Sequence, residues 1–171
     1  QPNLRYLWIE SNAQEALLVW VGNEAGPLGE TSVWVSADGV IVRLVQGQLV
    51  GVSERLRSWR LTSETPLTEG REPADAPTIF EQSTDEQPGL RIGILRTVRR
   101  TSLPVAPASM KSFAITQPLR WFEVRDLHSG LLLSVYGLDD QNQTIVGQKC
   151  MTAVWCLRWR AWPSPSPRPA L

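Results

Sequence analysis

The chain has 171 residues, 42% apolar and 20% charged, a globular composition long enough for one domain that buries roughly 68–70% of its unfolded surface. No stretch approaches the roughly 18 consecutive apolar residues that a transmembrane helix needs. Seventeen basic residues balance seventeen acidic ones, which removes the electrostatic footprint of a nucleic-acid binder.

In chain order, Leu4 to Glu10 and Glu15 to Gly22 are predicted as the first two strands, joined by the polar turn Ser11 to Gln14. The apolar run Leu17 to Val21 predicts a strand covered on both faces. Asn23 to Glu30, with Gly26, Pro27 and Gly29, predicts a loop. Val33 to Val50 carries the strongest signal: two β-branched runs meet at Asp38-Gly39, the pair favoured in a two-residue type I′ hairpin turn. Gly47 punctuates a further strand, Gln48 to Val52. Ser53 to Arg60 is predicted as a short helical turn, with Ser53 as N-cap and Leu56 and Trp59 facing inward.

From Leu61 to Gly89 the composition shifts to Thr, Ser, Glu, Asp and Pro. Pro66, Pro73, Pro77 and Pro88 argue against a long helix or central strand. This is read as a long excursion and a candidate interaction surface, with Thr78 to Glu81 adding one short edge strand. Strand grammar resumes from Leu90 to Val105. There Ile92, Ile94 and Val98 share one parity with Arg96 and Arg100, so that face is not clean. The reading is a strand that leaves the core near Arg96 and runs on as an edge guarded by cations.

Ser112 to Thr116 and Leu119 to Leu127 follow as strands separated by Pro118. His128-Ser129-Gly130 turns into Leu131 to Leu138, and Asp139 to Gln143 forms a polar turn. Gln148 to Trp162 alternates as one long strand, and the Pro-rich tail after it cannot join a sheet. Ten or so short strands predict a mainly β, single-domain antiparallel fold, barrel-like or sandwich, over residues 1–162, with residues 163–171 as the tail.

Cys150 and Cys156 lie six residues apart in the last strand. If that strand is unbroken their Cα atoms stand about 20 Å apart and cannot be bridged. A bulge folding the segment back into a disulfide is the alternative. The spacing does not suit zinc, and His128 is the only histidine. It sits where a polar turn residue belongs, and a general base needs partners that spacing alone does not reveal. No nucleophile elbow, Walker loop or zinc-protease motif occurs, and Asp139, Asp140 and Asn142 read as a solvated turn rather than a calcium loop. No cofactor, metal site or catalytic residue is expected. Carboxylate pairs for glycoside hydrolysis meet in space and leave no fixed spacing. Eight tryptophans outnumber the five other aromatics and mostly predict core packing. Arg158, Arg160 and Trp162 are the candidate binding surface.

The run VWVSADGVIVRLVQGQLV (33–50), preceded by EALLVWVG (15–22) and followed by VSERLRSW (52–59), resembles the N-terminal half of the YjbF/GfcB-type outer-membrane lipoproteins, with Gln48 where Arg is usual. RWFEVRDLHSGLLLSVYG (120–137) resembles that family's aromatic strand, Asp-x-x-x-Gly turn and returning strand. The likeness spans roughly two thirds of the chain, leaving out the middle excursion and both cysteines. It implies a barrel-like, non-enzymatic accessory protein, lipid-anchored upstream of Gln1 on the periplasmic face of the outer membrane. Such a protein assists exopolysaccharide or capsule export by binding polysaccharide or the export proteins. The alternatives are a glycan hydrolase with its acid pair on the long excursion, marked by two carboxylates in one pocket, and a structural β module with an enclosed apolar cavity.

Overall fold

The computed structural model describes residues 5–67 and 77–161. Among these, twelve strands follow one another: β1 (Tyr6–Ser11), β2 (Gln14–Gly26), β3 (Gly29–Ser36), β4 (Ile41–Val45), β5 (Gln48–Ser53), β6 (Ser58–Pro66), β7 (Thr78–Gln87), β8 (Leu90–Leu103), β9 (Arg120–Asp126), β10 (Leu132–Leu138), β11 (Thr144–Thr152) and β12 (Trp155–Ala161). Each strand is antiparallel to its neighbours in sequence, and β1 closes the ring on β12, with Leu7 opposite Ala161 and Ile9 opposite Trp159. The mainly β, antiparallel expectation holds, and of its two forms the chain takes the barrel. Closure removes the free edges that an open sheet must guard.

Alternation along the strands sorts side chains between lumen and exterior. Leu7 and Ile9 of β1, Val42 and Leu44 of β4, and Leu157 and Trp159 of β12 point inward and pack together. Outward positions carry ion pairs such as Arg43–Glu24 at 2.7 Å and Arg125–Glu123 at 3.0 Å. Against the outside of β9 to β12 lies the connection 104–119. Its 3₁₀ turn, Ala108–Phe113, buries Met110 and Phe113 against Trp121, Val135 and Val146. This segment includes Ser112 to Thr116, expected as a strand.

Several other expectations are corrected. Leu61 to Gly89 is no excursion overall: β6 and β7 are long strands, paired from Ser58↔Glu86 to Pro66↔Ile79. The prolines misled because they sit at strand ends, Pro66 closing β6, Pro77 preceding β7, and Pro88 in the turn before β8; Pro73 lies outside the described residues. β7 pairs on both sides, so Thr78 to Glu81 is no edge. β8 does not leave the barrel either, pairing with β9 as far as Leu103↔Trp121. Ser53 to Arg60 holds no helical turn: residues 54–57 make a hairpin turn between β5 and β6, closed by Glu54 N–H donating to Arg57 O at 2.8 Å. Trp59 faces inward, as expected, but as part of β6, while Leu56 is exposed. The loop Asn23 to Glu30 shrinks to a turn at Pro27-Leu28, because β2 runs to Gly26 and β3 starts at Gly29.

The hairpin at Asp38-Gly39 forms with a different turn. Gly39 N–H donates to Ser36 O, Ser36 N–H donates to Val40 O, and only Gly39 has positive φ (+89°). The type I′ conformation, left-handed at both central residues, occurs instead at Asn12-Ala13 (φ 51° and 62°). The long last strand is in fact β11 and β12, reversing at Ala153-Val154, so Cys150 pairs directly with Cys156. Their Cα atoms are 3.9 Å apart and the two form a disulfide on the outer wall. Trp162 and the tail lie outside the described residues.

Candidate functional site

A ring of eight strands can be filled by its own side chains, and a wider ring leaves space. Here the space is divided unequally. The β4–β5 turn, Gln46-Gly47, folds across the lumen to the opposite wall. Thr144 N–H donates to Gln46 O at 2.9 Å, Gln48 Nε2 donates to Thr144 Oγ1 at 2.8 Å, and Trp159 Nε1 donates to Gly47 O at 2.9 Å. Gly47 is required twice over: its φ is +79°, and a Cβ there would overlap the Thr144 carbonyl. On one side of this bridge, Trp34, Leu44, Leu157 and Trp159 fill the interior. On the other, between β5 and β11, is a chamber of about 740 Å³. A second hollow of about 770 Å³, bordered by Trp34, Gln46, Gly47 and Asp139, forms a vestibule on the far side of the bridge.

The chamber wall is partly apolar, with Leu61, Ile79, Val98, Val124 and Leu133, yet six ionisable groups line it: Glu64, Glu81, Arg100, Tyr136 and Lys149, with Arg120 at the rim. Glu64 on β6 lies directly opposite Glu81 on β7. Cross-strand partners have Cβ atoms about 4.5–5.5 Å apart, so the two carboxylates share one patch. Lys149 on β11 is buried; its Nζ stands 4.0 Å from Glu81 Oε1 and 5.1 Å over the Trp59 ring. Arg100 on β8 lies 5.3 Å over the Phe122 ring, and its charge reaches the Tyr136 phenol. Phe122 and Tyr136, opposite each other on β9 and β10, stack with centroids 5.5 Å apart.

Chamber water reaches the Glu64 side chain, but the barrel wall surrounds it. Loss of bulk solvation pushes its carboxyl above the usual range, and neighbouring Glu81 adds to this against the pull of Lys149 and Arg100. Burial likewise raises the Tyr136 phenol, which Arg100 partly offsets. The opposite end of the barrel is held by a polar plug. Arg57 donates through Nε and Nη2 to buried Asp85, at 3.1 and 2.8 Å, and lies 4.6 Å over Trp155. Arg96 reaches across to the Cys150 and Met151 carbonyls. The charges on the unclean face of β8 therefore point inward, one bracing the closed end and the other lining the chamber.

Arg158 and Arg160, expected as a binding surface, are on the outer face of β12 and away from the chamber. Arg158 donates to Ser109 O and Ser112 Oγ and lies 4.5 Å over Phe113, while Arg160 donates to Phe113 O. They fasten the 104–119 segment to the wall. Asp126, the first residue of the Asp-x-x-x-Gly turn, accepts from the His128 and Ser129 backbones at 2.7 and 2.9 Å. Those bonds, the Ser129 one foremost, hold its carboxyl below the usual range. His128 sits exposed in that turn.

The fold and chamber define a closed twelve-stranded antiparallel barrel with a charged internal cup. The sequence matches no protein-family model and no curated protein. Among solved structures, the fold is similar to that of the hypothetical lipoprotein YmcC from Escherichia coli K12, with a TM-score of 0.66 over 95% of this chain and 88% of that one, at 12% sequence identity.

Proposed function

We propose that this chain is the barrel of an envelope lipoprotein, anchored through a lipid upstream of Gln1 to the periplasmic face of the outer membrane. In this reading it assists exopolysaccharide or capsule export without catalysis, by binding glycan in its chamber or an export protein on its surface. The carrying observation is an open, charged and aromatic chamber inside a barrel of the kind that a bacterial lipoprotein also has. The Cys150–Cys156 disulfide supports the compartment, since such bonds persist in oxidising spaces such as the periplasm. Charged groups inside the cup speak against a carrier of purely apolar ligands.

Deletion of the gene in its own host is expected to lower secreted or surface polysaccharide, with recovery on returning the full-length gene. Metabolic labelling is expected to put a fatty acyl chain on the full-length protein. An unlabelled, freely soluble protein, or unchanged polysaccharide, overturns the proposal.

A second reading is favoured by one observation. Glu64 and Glu81, both within the segment expected to carry an acid pair, face each other in the chamber. In a glycan hydrolase, Glu64, with its raised pKa, suits the proton donor, and Glu81 beside Lys149 is placed as the second carboxylate. New reducing ends released from a polysaccharide by the parent protein, and lost in Glu64→Gln, favour this reading; no release by either leaves the non-enzymatic one.

A further inference from the structure

We infer that the chamber selects acidic saccharides, with Arg100 as the group that meets the sugar carboxylate. This rests on the glycan-binding reading and names the chemistry of the glycan. Three cations border the chamber, and two have their charge or donors engaged. Lys149 has the Glu81 carboxylate at 4.0 Å. Arg120 at the rim donates to the Asp139 carbonyl and to Asn142. Arg100 instead lies over an aromatic face near a phenol, and among the described residues none stands at ion-pair distance from it, Glu64 feeling its charge from farther off. A guanidinium beside an open space of this size, with no carboxylate held on its forked donors, favours an anion there, and those donors match a carboxylate in particular.

The rest of the surroundings select for a sugar. The chamber volume lies within the roughly 300–1,000 Å³ of small-ligand pockets. Phe122 and Tyr136, stacked beside Arg100, give one wall of the chamber aromatic carbon, against which the C–H groups of a pyranose can lie. Gln48, Ser134, Asn142 and Thr144 place side-chain amides and hydroxyls around the same space, suited to a ligand bearing many hydroxyls. A fatty-acyl chain of equal volume would have to lie against Glu64, Glu81 and Lys149 and strip their hydration without replacing it.

The test is titration calorimetry on the whole chain with three probes: a tetramer of glucuronic acid, a glucose tetramer of the same linkage, and palmitate. The acidic tetramer is expected to bind at least about tenfold more tightly than the neutral one, and to weaken as salt is raised. Arg100→Met is expected to lower that affinity about tenfold or more, and Arg100→Lys to recover part of it, both keeping the parent near-ultraviolet tryptophan signal. Equal binding of the neutral tetramer overturns the acid preference while leaving glycan binding standing. Preferential binding of palmitate, or unchanged affinity in Arg100→Met, overturns the inference. Absence of saccharide binding overturns it too, and if deletion still impairs export, the envelope role survives without the chamber.

Discussion

The two halves of the interior are built from one continuous strand ladder and are opposites in content. Beside β1 to β4 and β12 the inward positions are mostly Leu, Ile, Val and Trp, and nearly every one is buried. Beside β6 to β10 the same alternation delivers Glu, Arg, Phe and Tyr to a space that stays open. Backbone pairing is equally regular in both halves, so the ladder does not decide which half fills; side-chain volume and charge do. Buried apolar contact is concentrated where indoles pack, and ionisable groups beside open space where they do not.

Truncation should separate the halves most sharply. Trp159 is wholly buried, touches Gly147 and bonds Gly47, so Trp159→Ala is expected to cost about 3–5 kcal/mol, read by chemical denaturation. Phe122, on the open side, should cost well under half of that on truncation; equal costs would mean that the hollow half is packed in solution. Next comes the bridge. Gly47→Ala adds a steric overlap to a left-handed residue, and a loss of about 2–4 kcal/mol is expected. A variant with parent stability would show that the bridge is not formed.

The disulfide closes a short loop on the outer wall. Replacing Cys150 and Cys156 together by Ser is expected to cost about 2 kcal/mol without changing ligand binding inside, measured by denaturation and calorimetry on the same sample. The smallest effect belongs to Glu64. Its folded pKa lies above the unfolded value of 4.5, so the folded state holds the proton more tightly, and the associated stability is full below pH 4.5 and declines as pH rises through the raised value. Glu64→Gln removes this decline. The variant should therefore gain on the parent at pH 7 and not at pH 4, by less than about 1 kcal/mol because chamber water screens the charge. A larger gain at pH 4 would refute the assigned direction.

Most strands were legible in the sequence because alternation and turn residues coincide, as along β3, β4 and β10. The β11–β12 reversal escaped because its turn is two residues long and contains neither Gly nor Pro. Met151, Ala153 and Trp155 keep their parity straight through it, so a hairpin reads as one strand and two bonded cysteines as distant ones. The β6–β7 pair was hidden by prolines that stand at strand ends, where a missing N–H costs little. The site left one trace, Arg96 and Arg100 on the parity of Ile92, Ile94 and Val98. Charges on an otherwise apolar face suit an exposed edge equally well, and only ring closure turns that face inward. Glu64 and Glu81 lie in the segment read as able to carry an acid pair, but which carboxylates meet is set by the β6–β7 register, and Lys149, from a strand distant in sequence, joins them only through ring closure.

The Gln46-Gly47 crossing works as an internal partition, and its geometry makes it removable in principle. It consists of a single tight reversal held by three hydrogen bonds, with the vestibule on one side and the cup on the other. Retracting that tip by shortening β4 and β5 would merge two compartments into a single wider bore, so the width of the hollow is set by the length of one hairpin rather than by the number of staves.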